Sequence, residues 1–386
     1  MRVEFENRGG RTSMSAESRR PSKEGKKYIY EIHFLRAFAC LSVVGVHVSA
    51  TNYGMTQETW TWFTYFLNQI GRFGTPIFAV ISGFLLFYQV KRRGFALGRF
   101  LKTRLSKIII PFLIWSLAYR YLLYYYDNQA LGDYGAEVKK ILLGDSFYHL
   151  YFVAIVVQFY LIFPFIQKLF RTQTLLLVFA FIALLISYNL YGFSPGIEGA
   201  IGEFLASKSF MPIWIFYFAF GGFLAYFWDE IVNFATKRPW QMLALALIVS
   251  AGAVVEYMVN GFVSNRRLSN LANIPLLCIA TIGIYPLLAR WNVIKKPLYL
   301  IGQYSMGIYL IHPMVLYLFA RHLPEHYWNA NYVVFMFIAV MIIAVVFIRI
   351  LQFIPLSGFI IPVPKIKKTK SLHQTAEGVA EKKQSA

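Results

Sequence analysis

Residues 33–52 read HFLRAFACLSVVGVHVSATN, an apolar run interrupted by His33, Arg36 and His47. As a helix rising about 1.5 Å per residue, such a run covers a hydrocarbon core of roughly 30 Å. Backbone polar groups in lipid must be satisfied within their own segment, and the dyad alternation of a membrane barrel strand is missing, so the run is expected to be helical. Comparable runs follow at 63–89, 105–126, 147–167, 174–192, 209–228, 241–260, 270–289, 298–320 and 332–354. The expected fold is all-α, a polytopic integral membrane bundle of about ten transmembrane helices.

Composition agrees. Of 386 residues, 58% are hydrophobic, 18% aromatic and only 15% charged, outside the range of a soluble domain. The formal charge of +20 raises nucleic acid as a partner, but the basic residues cluster between apolar runs instead of covering a folded surface. Membrane lipids are expected as the surroundings, and no nucleic acid as a partner. Cys40 and Cys278 sit singly inside apolar runs, so neither a disulfide nor a metal site is expected.

Residues 1–27 and 365–386 are polar, basic and without apolar periodicity, and both read as flexible tails flanking a membrane domain at 28–364. The basic residues before the first run, KRRGFALGRFLKTR at 91–104, and Arg290 with Lys295 and Lys296 all belong on the cytoplasmic side. Both termini are then cytoplasmic, in the cell membrane, and the loop Asp127 to Asp145 lies outside. Arg266 and Arg267 depart from the rule in an outer loop. A cleaved signal peptide ending at Val48-Ser49-Ala50 competes for the first run, but its basic leader is long and cleavage would discard the most informative polar residues.

An ionisable side chain inside a span costs several kcal/mol, so each is a functional candidate. Arg36 and His47 are eleven residues apart, which returns them to within roughly 20° of one face but leaves roughly 16 Å along the axis. Arg36 can equally snorkel to lipid phosphates. His47 is harder to explain by packing alone, and a neutral imidazole there can accept a proton, the property of a general base. In the ninth run Ser305, Tyr309 and His312 follow at steps of four and three and share a face, suited either to a polar ligand or to interhelical hydrogen bonds around Pro313.

Other candidates are less specific. Arg72 precedes FGTPIFAVISGF, where Gly74, Pro76, Ser82 and Gly83 permit a break or a close helix approach. Arg104 and Lys107 precede Pro111 and could hold the phosphates of a cofactor, although membrane topology alone accounts for them. His149 lies near the outer end of the fourth run and Gln158 near its middle; Glu256 is the clearest carboxylate within a span. None of His47, His149 and His312 is followed by Asp five residues on, and no P-loop, dinucleotide turn or HExxH occurs.

Four ordered motifs, FLRAFACLSVVGVH, FAVISGF, RLSKIIIP and IGQYSMGIYLIHP, resemble the acyltransferase-3 family of integral membrane acyltransferases, which includes polysaccharide-intercellular-adhesin O-acyltransferases. The resemblance covers the whole membrane region. It implies a ten-helix bundle that moves an acyl group, often acetyl, from acyl-coenzyme A as donor substrate to a saccharide hydroxyl, with no permanently bound cofactor. It implies His47 as the base that deprotonates the acceptor and Arg36 as the group that holds the donor or stabilises charge. Arg72, Ser82, Arg104, Lys107, His149, Gln158, Ser305, Tyr309 and His312 are then donor or substrate contacts, and glycan-synthesis proteins are expected partners. Two positions depart from many relatives: His33 stands where an Asp precedes the arginine, and Val156 and Val157 stand before Gln158 in place of a Glu-Glu pair.

Two other readings fit a polytopic chain with intramembrane polar residues. A transporter could export a glycan or lipid-linked sugar without chemistry, although no inverted repeat is evident. An assembly or sensor subunit would use Arg36, His47 and His312 for stability only.

Overall fold

Every expected apolar run is helical. The computed structural model describes residues 29–364 apart from 169, 171 and 262, so the expectations for the tails 1–27 and 365–386 lie outside the described residues. In chain order the helices are α1 (Tyr30–Met55), α2 (Trp62–Gly71), α3 (Gly74–Arg93), α4 (Leu97–Arg104), α5 (Ile110–Asp127), α6 (Tyr134–Leu143), α7 (Tyr151–Ile166) and α8 (Gln173–Asn189). They continue as α9 (Gly199–Ala206), α10 (Ile215–Tyr226), α11 (Trp228–Thr236), α12 (Pro239–Asn260), α13 (Asn270–Ala289), α14 (Asn292–His322), α15 (Val333–Leu351) and α16 (Ser357–Ile360). No strand occurs among the described residues. The chain is a multi-pass membrane protein.

Seven helical stretches are long and apolar enough to cross a membrane unaided, against the ten runs read from sequence. Two of the other three, α7 and α8, are apolar but shorter. The third, α14, has the length but interrupts its apolar residues with Lys295, Lys296, Gln303, Ser305 and His312. Such a helix is stable in a membrane only where neighbours cover its polar side, and Ser305, Tyr309 and His312 are indeed buried.

Local chemistry sets the breaks. The second run divides at Arg72 and Phe73, because Pro76 has no N–H to offer the Arg72 carbonyl one turn earlier. Thr61 caps α2 reciprocally with Thr64, each hydroxyl taking the other residue's backbone N–H. Before α5, residues Leu105–Ile109 form a π-helical turn that ends with the Ile110 N–H on the Leu105 carbonyl. Pro111 cannot donate to the Lys107 carbonyl, and the wider turn absorbs the lost bond. The fourth span starts later than expected, at Tyr151 instead of 147, which leaves His149 in an irregular turn.

The most extensive helix pairings are α3 with α10 and α1 with α14. Close approach depends on glycine at both. A Cβ on Gly83 would collide with the Phe218 backbone, and one on Gly302 with the His33 carbonyl. The His33 ring lies 5.2 Å from that of Tyr299 on α14. At the end of the bundle away from the basic loops, Glu256 accepts from the Ser269 hydroxyl at 2.7 Å and pairs with Arg267 at 3.4 Å, while the Arg267 guanidinium lies 4.6 Å from the centre of the Phe73 ring. Arg267 therefore has a structural role at that end.

Candidate active site

Helix α1 carries the two ends of the site. Eleven residues separate Arg36 from His47, and the structure opens each into a different cavity. The cavity at the basic end of the bundle has a volume of about 160 Å³, and Arg36, Ser82, Arg104, Lys107, Ser305 and Tyr309 contribute to its lining. The cavity at the opposite end has about 440 Å³, within the usual range of small-molecule sites, and is lined among others by His47, Arg72, His149 and Tyr309. Tyr309 is thus a wall common to both.

At the basic end, Arg36 Nε donates to Ser305 Oγ at 3.2 Å, which joins α1 to α14. The π-helical turn keeps Arg104 and Lys107 on the same cavity. The Arg104 guanidinium lies 5.0 Å from the ring centre of Tyr160 and 5.5 Å from that of Phe100, and its buried Nε has no hydrogen-bond partner among the described residues. A cation braced by aromatic rings with a donor to spare suits a phosphate. Lys107 Nζ reaches the Gly358 carbonyl at 3.4 Å, and Trp115 Nε1 donates to that of Ile360 at 3.0 Å, so the segment after α15 is fastened beside this cavity. Pro362 lines it.

At the opposite end three imidazoles gather. The His47 and His312 ring centres are 5.3 Å apart, those of His149 and His312 6.0 Å, and the Tyr148 ring lies tilted against His47 at 4.8 Å. His312 is fully buried and turns Nδ1 to the Ile308 carbonyl at 2.9 Å. A carbonyl only accepts, so Nδ1 carries the proton and Nε2, which has no partner among the described residues, presents a lone pair. Both nitrogens of His149, 1% exposed, also lack a partner there. Its backbone carbonyl accepts from the Tyr309 hydroxyl, so Tyr309 fixes the turn bearing His149 as well as dividing the cavities.

Arg72 is held by Asn68 Oδ1, which accepts from Nε at 3.1 Å and from Nη2 at 2.9 Å; Asn68 in turn donates to Ser49 Oγ at 3.1 Å. Helix α14 is shaped by Tyr119, whose hydroxyl donates to the Leu310 carbonyl at 2.7 Å and accepts from the Met314 N–H at 3.1 Å. The hydroxyl thus bridges the Leu310 carbonyl and the Met314 N–H in the turn of α14 that holds His312 and Pro313.

Of the eleven catalytic and contact residues expected from sequence, two fall outside both cavity linings. His312 lies just behind, against His47 and His149. Gln158 is not brought to the site: its amide donates to the Ser209 carbonyl at 2.7 Å and accepts from the Met211 N–H at 3.2 Å, stapling α7 to the turn before α10. Sequence reasoning missed Thr75, Tyr151, Lys208 and Asn265 in the larger cavity, and Phe78, Phe152 and Tyr160 in the smaller. None carries a local signal, because an aromatic or polar residue near a span end is ordinary. Arg266, which lines the larger cavity, did carry one in its departure from the charge rule. No group of three or more His, Cys, Asp or Glu able to hold a metal occurs among the described residues.

The family described as "Acyltransferase domain" matches residues 29–349, nearly all of the helical region that builds both cavities. The chain belongs to the acyltransferase-3 family. Among its relatives in that family is a protein of Staphylococcus aureus (strain MRSA252) named "Probable poly-beta-1,6-N-acetyl-D-glucosamine export protein", 25% identical over 304 residues, which are 75% of this chain and 83% of the relative. A protein of the same name from Staphylococcus epidermidis is 26% identical over 340 residues, 82% of this chain and 89% of the relative. No solved structure is a significant match. As a member of the acyltransferase-3 family the chain is a membrane acyltransferase, and the sequence motifs that pointed there are the ones that line the cavities.

Proposed function

We propose that the chain transfers an acyl group, most simply acetyl, from acyl-coenzyme A to a hydroxyl of a cell-surface saccharide or glycan precursor. The observation that carries the reading is that Tyr309 lines two cavities at once, one holding Arg36 and Arg104, the other His47 and His149. The donor enters the first from the cytoplasm, its phosphates against Arg104 and Lys107 and its thioester directed toward Tyr309. The acceptor occupies the second.

His47 takes the proton of the acceptor hydroxyl as its oxygen attacks the thioester carbonyl. The carbon–sulfur bond then breaks, an ester forms, and the coenzyme A thiolate leaves and is protonated. His312 orients the His47 ring from behind, and Arg36 stabilises charge on the donor side. Separate entrances for the two substrates explain why Arg36 and His47 stand roughly 16 Å apart on one helix.

Export of a glycan without chemistry is the second reading, favoured by the name that the staphylococcal relatives carry. It gives no reason for a cluster of imidazoles with unpartnered nitrogens. The deciding experiment follows radiolabelled acetyl from acetyl-coenzyme A into envelope glycan, in membranes containing wild-type chain or His47→Ala at matched abundance. Label that depends on His47 supports acyl transfer. Glycan export without incorporation of acetyl or any longer acyl group would leave the transporter standing.

A further inference from the structure

The larger cavity is cationic. Three basic side chains line it from three separate parts of the chain: Arg72 at the end of α2, Lys208 in the turn after α9, and Arg266 in the loop before α13. No Asp or Glu among the described residues contributes to the lining. Asp145 feels both Lys208 and Lys139 and does not line the cavity. Glu256 is occupied with Arg267 and Ser269.

Membrane topology does not account for this charge. Lys208 and Arg266 lie at the end of the bundle away from the basic loops, where the charge rule disfavours them. The neighbouring Arg267 is explained by its ion pair and by Phe73, whereas Arg266 makes neither kind of contact among the described residues. The loop that carries Arg266 is nevertheless built with care. Asn265 Nδ2 donates to the Tyr151 hydroxyl at 2.6 Å, Ser264 Oγ accepts from the Arg266 N–H at 3.2 Å, and Arg266 lines the same cavity as His47.

We infer that the acceptor bound in this cavity is an anionic saccharide, one carrying a carboxylate or phosphate that Arg266, Arg72 and Lys208 hold while a neighbouring hydroxyl faces His47. The inference deepens the acyl-transfer reading and rests on it for the word acceptor. It separates this chain from a protein serving a neutral polymer, since a cavity lined by three cations and by no acid among the described residues attracts an anion. Arginine suits either anion through paired N–H donors, and the rim position of Lys208 suits attraction over a longer range.

The test uses the full chain in phosphatidylcholine nanodiscs and three probes: a neutral N-acetylglucosamine tetrasaccharide, a tetrasaccharide alternating N-acetylglucosamine with glucuronate, and N-acetylglucosamine 1-phosphate. Binding is measured by calorimetry, and acetyl transfer to each probe in the same preparation. At least one anionic probe is expected to bind roughly tenfold more tightly than the neutral one, the size of one charge-assisted hydrogen bond. Whether the uronate or the phosphate holds that advantage identifies the source of the charge. Arg266→Gln should abolish the advantage while leaving the KM for acetyl-coenzyme A in place. If that variant does not fold, Lys208→Gln on the exposed rim should reduce the advantage a few-fold. Equal binding of all three probes, or a preference that survives both substitutions, overturns the inference. Transfer to the neutral probe alone overturns it and leaves the acyltransferase intact; an anionic preference without transfer to any probe upholds the charged site and removes the acyl-transfer reading.

Discussion

His47 on α1 and His312 on α14 face each other with their ring centres 5.3 Å apart, although 265 positions separate them in the chain. The pairing gives the two imidazoles different tasks. His312 has its Nδ1 proton committed to the Ile308 carbonyl, whereas His47 lines the cavity. Of this pair, His47 is the one placed to meet an acceptor there.

The two substitutions should therefore separate. His47→Ala is expected to lower kcat for acetyl transfer by about 10²–10⁴-fold, the usual worth of a general base, with normal folding yield. His312→Gln should lower kcat by about tenfold with little change in either KM, because it disturbs the placement of the His47 ring and not substrate contact. Equal losses in the two variants would contradict the division of roles, and steady-state kinetics on the purified protein decides it.

Arg104 rests on the rings of Tyr160 and Phe100 and has a buried Nε without a hydrogen-bond partner among the described residues. Arg104→Ala is expected to raise the KM for acetyl-coenzyme A by roughly tenfold or more, with a much smaller effect on the acceptor KM. Pantetheine-linked acetyl, which lacks the nucleotide phosphates, should be used equally well by the variant and the wild type. A loss that persists with the truncated donor would place Arg104 in packing instead.

The Tyr119 hydroxyl is buried and has two backbone partners in α14. Tyr119→Phe leaves the ring in place but strands the Leu310 carbonyl and the Met314 N–H, which should cost about 1–3 kcal/mol in stability. A lower Tm in detergent, together with reduced kcat from a displaced His312, is the expected pair of results. An unchanged Tm would mean that α14 closes the turn without help.

Outside the membrane, Glu137 on α6 accepts from Arg120 at 2.7 and 2.9 Å, from Lys140 at 2.9 Å and from the Gly132 N–H at 3.1 Å. The Lys140 hydrogen bond is the largest cause of a carboxyl pKa held at about 2, with the Gly132 and Arg120 contacts adding and partial burial opposing. The folded value lies below the unfolded one, so the stabilisation is complete above about pH 4.5 and is lost as pH falls toward 2. Hydrogen exchange of residues 128–143 should quicken across that window, and Glu137→Gln should exchange faster at neutral pH and lose the pH dependence.

Much of the site was legible because its signals are local. Pro76 and Pro111 mark a break and a widened turn whatever surrounds them, since a missing N–H is a property of the residue itself. The steps from Ser305 to Tyr309 to His312 put one face of α14 together through helix geometry alone. The partners of that face were not legible. Nothing near Gln158 says that its amide turns to Ser209 and Met211, and nothing near Tyr119 says that its hydroxyl enters α14.

By itself, the sequence determined that the chain is a membrane bundle, where its helices break, and which side chains are too costly in lipid to be there without purpose. Those conclusions follow from the length of apolar runs, the backbone chemistry of single residues and the price of ionisable groups, all of which act over a turn or two of helix. Only the tertiary structure decided that Arg36 and His47 open into different cavities, that Tyr309 divides them, and that Arg72, Lys208 and Arg266 converge beside His47. Those relations join segments distant in the chain, and the packing of helices against one another leaves no period in the sequence from which to read them.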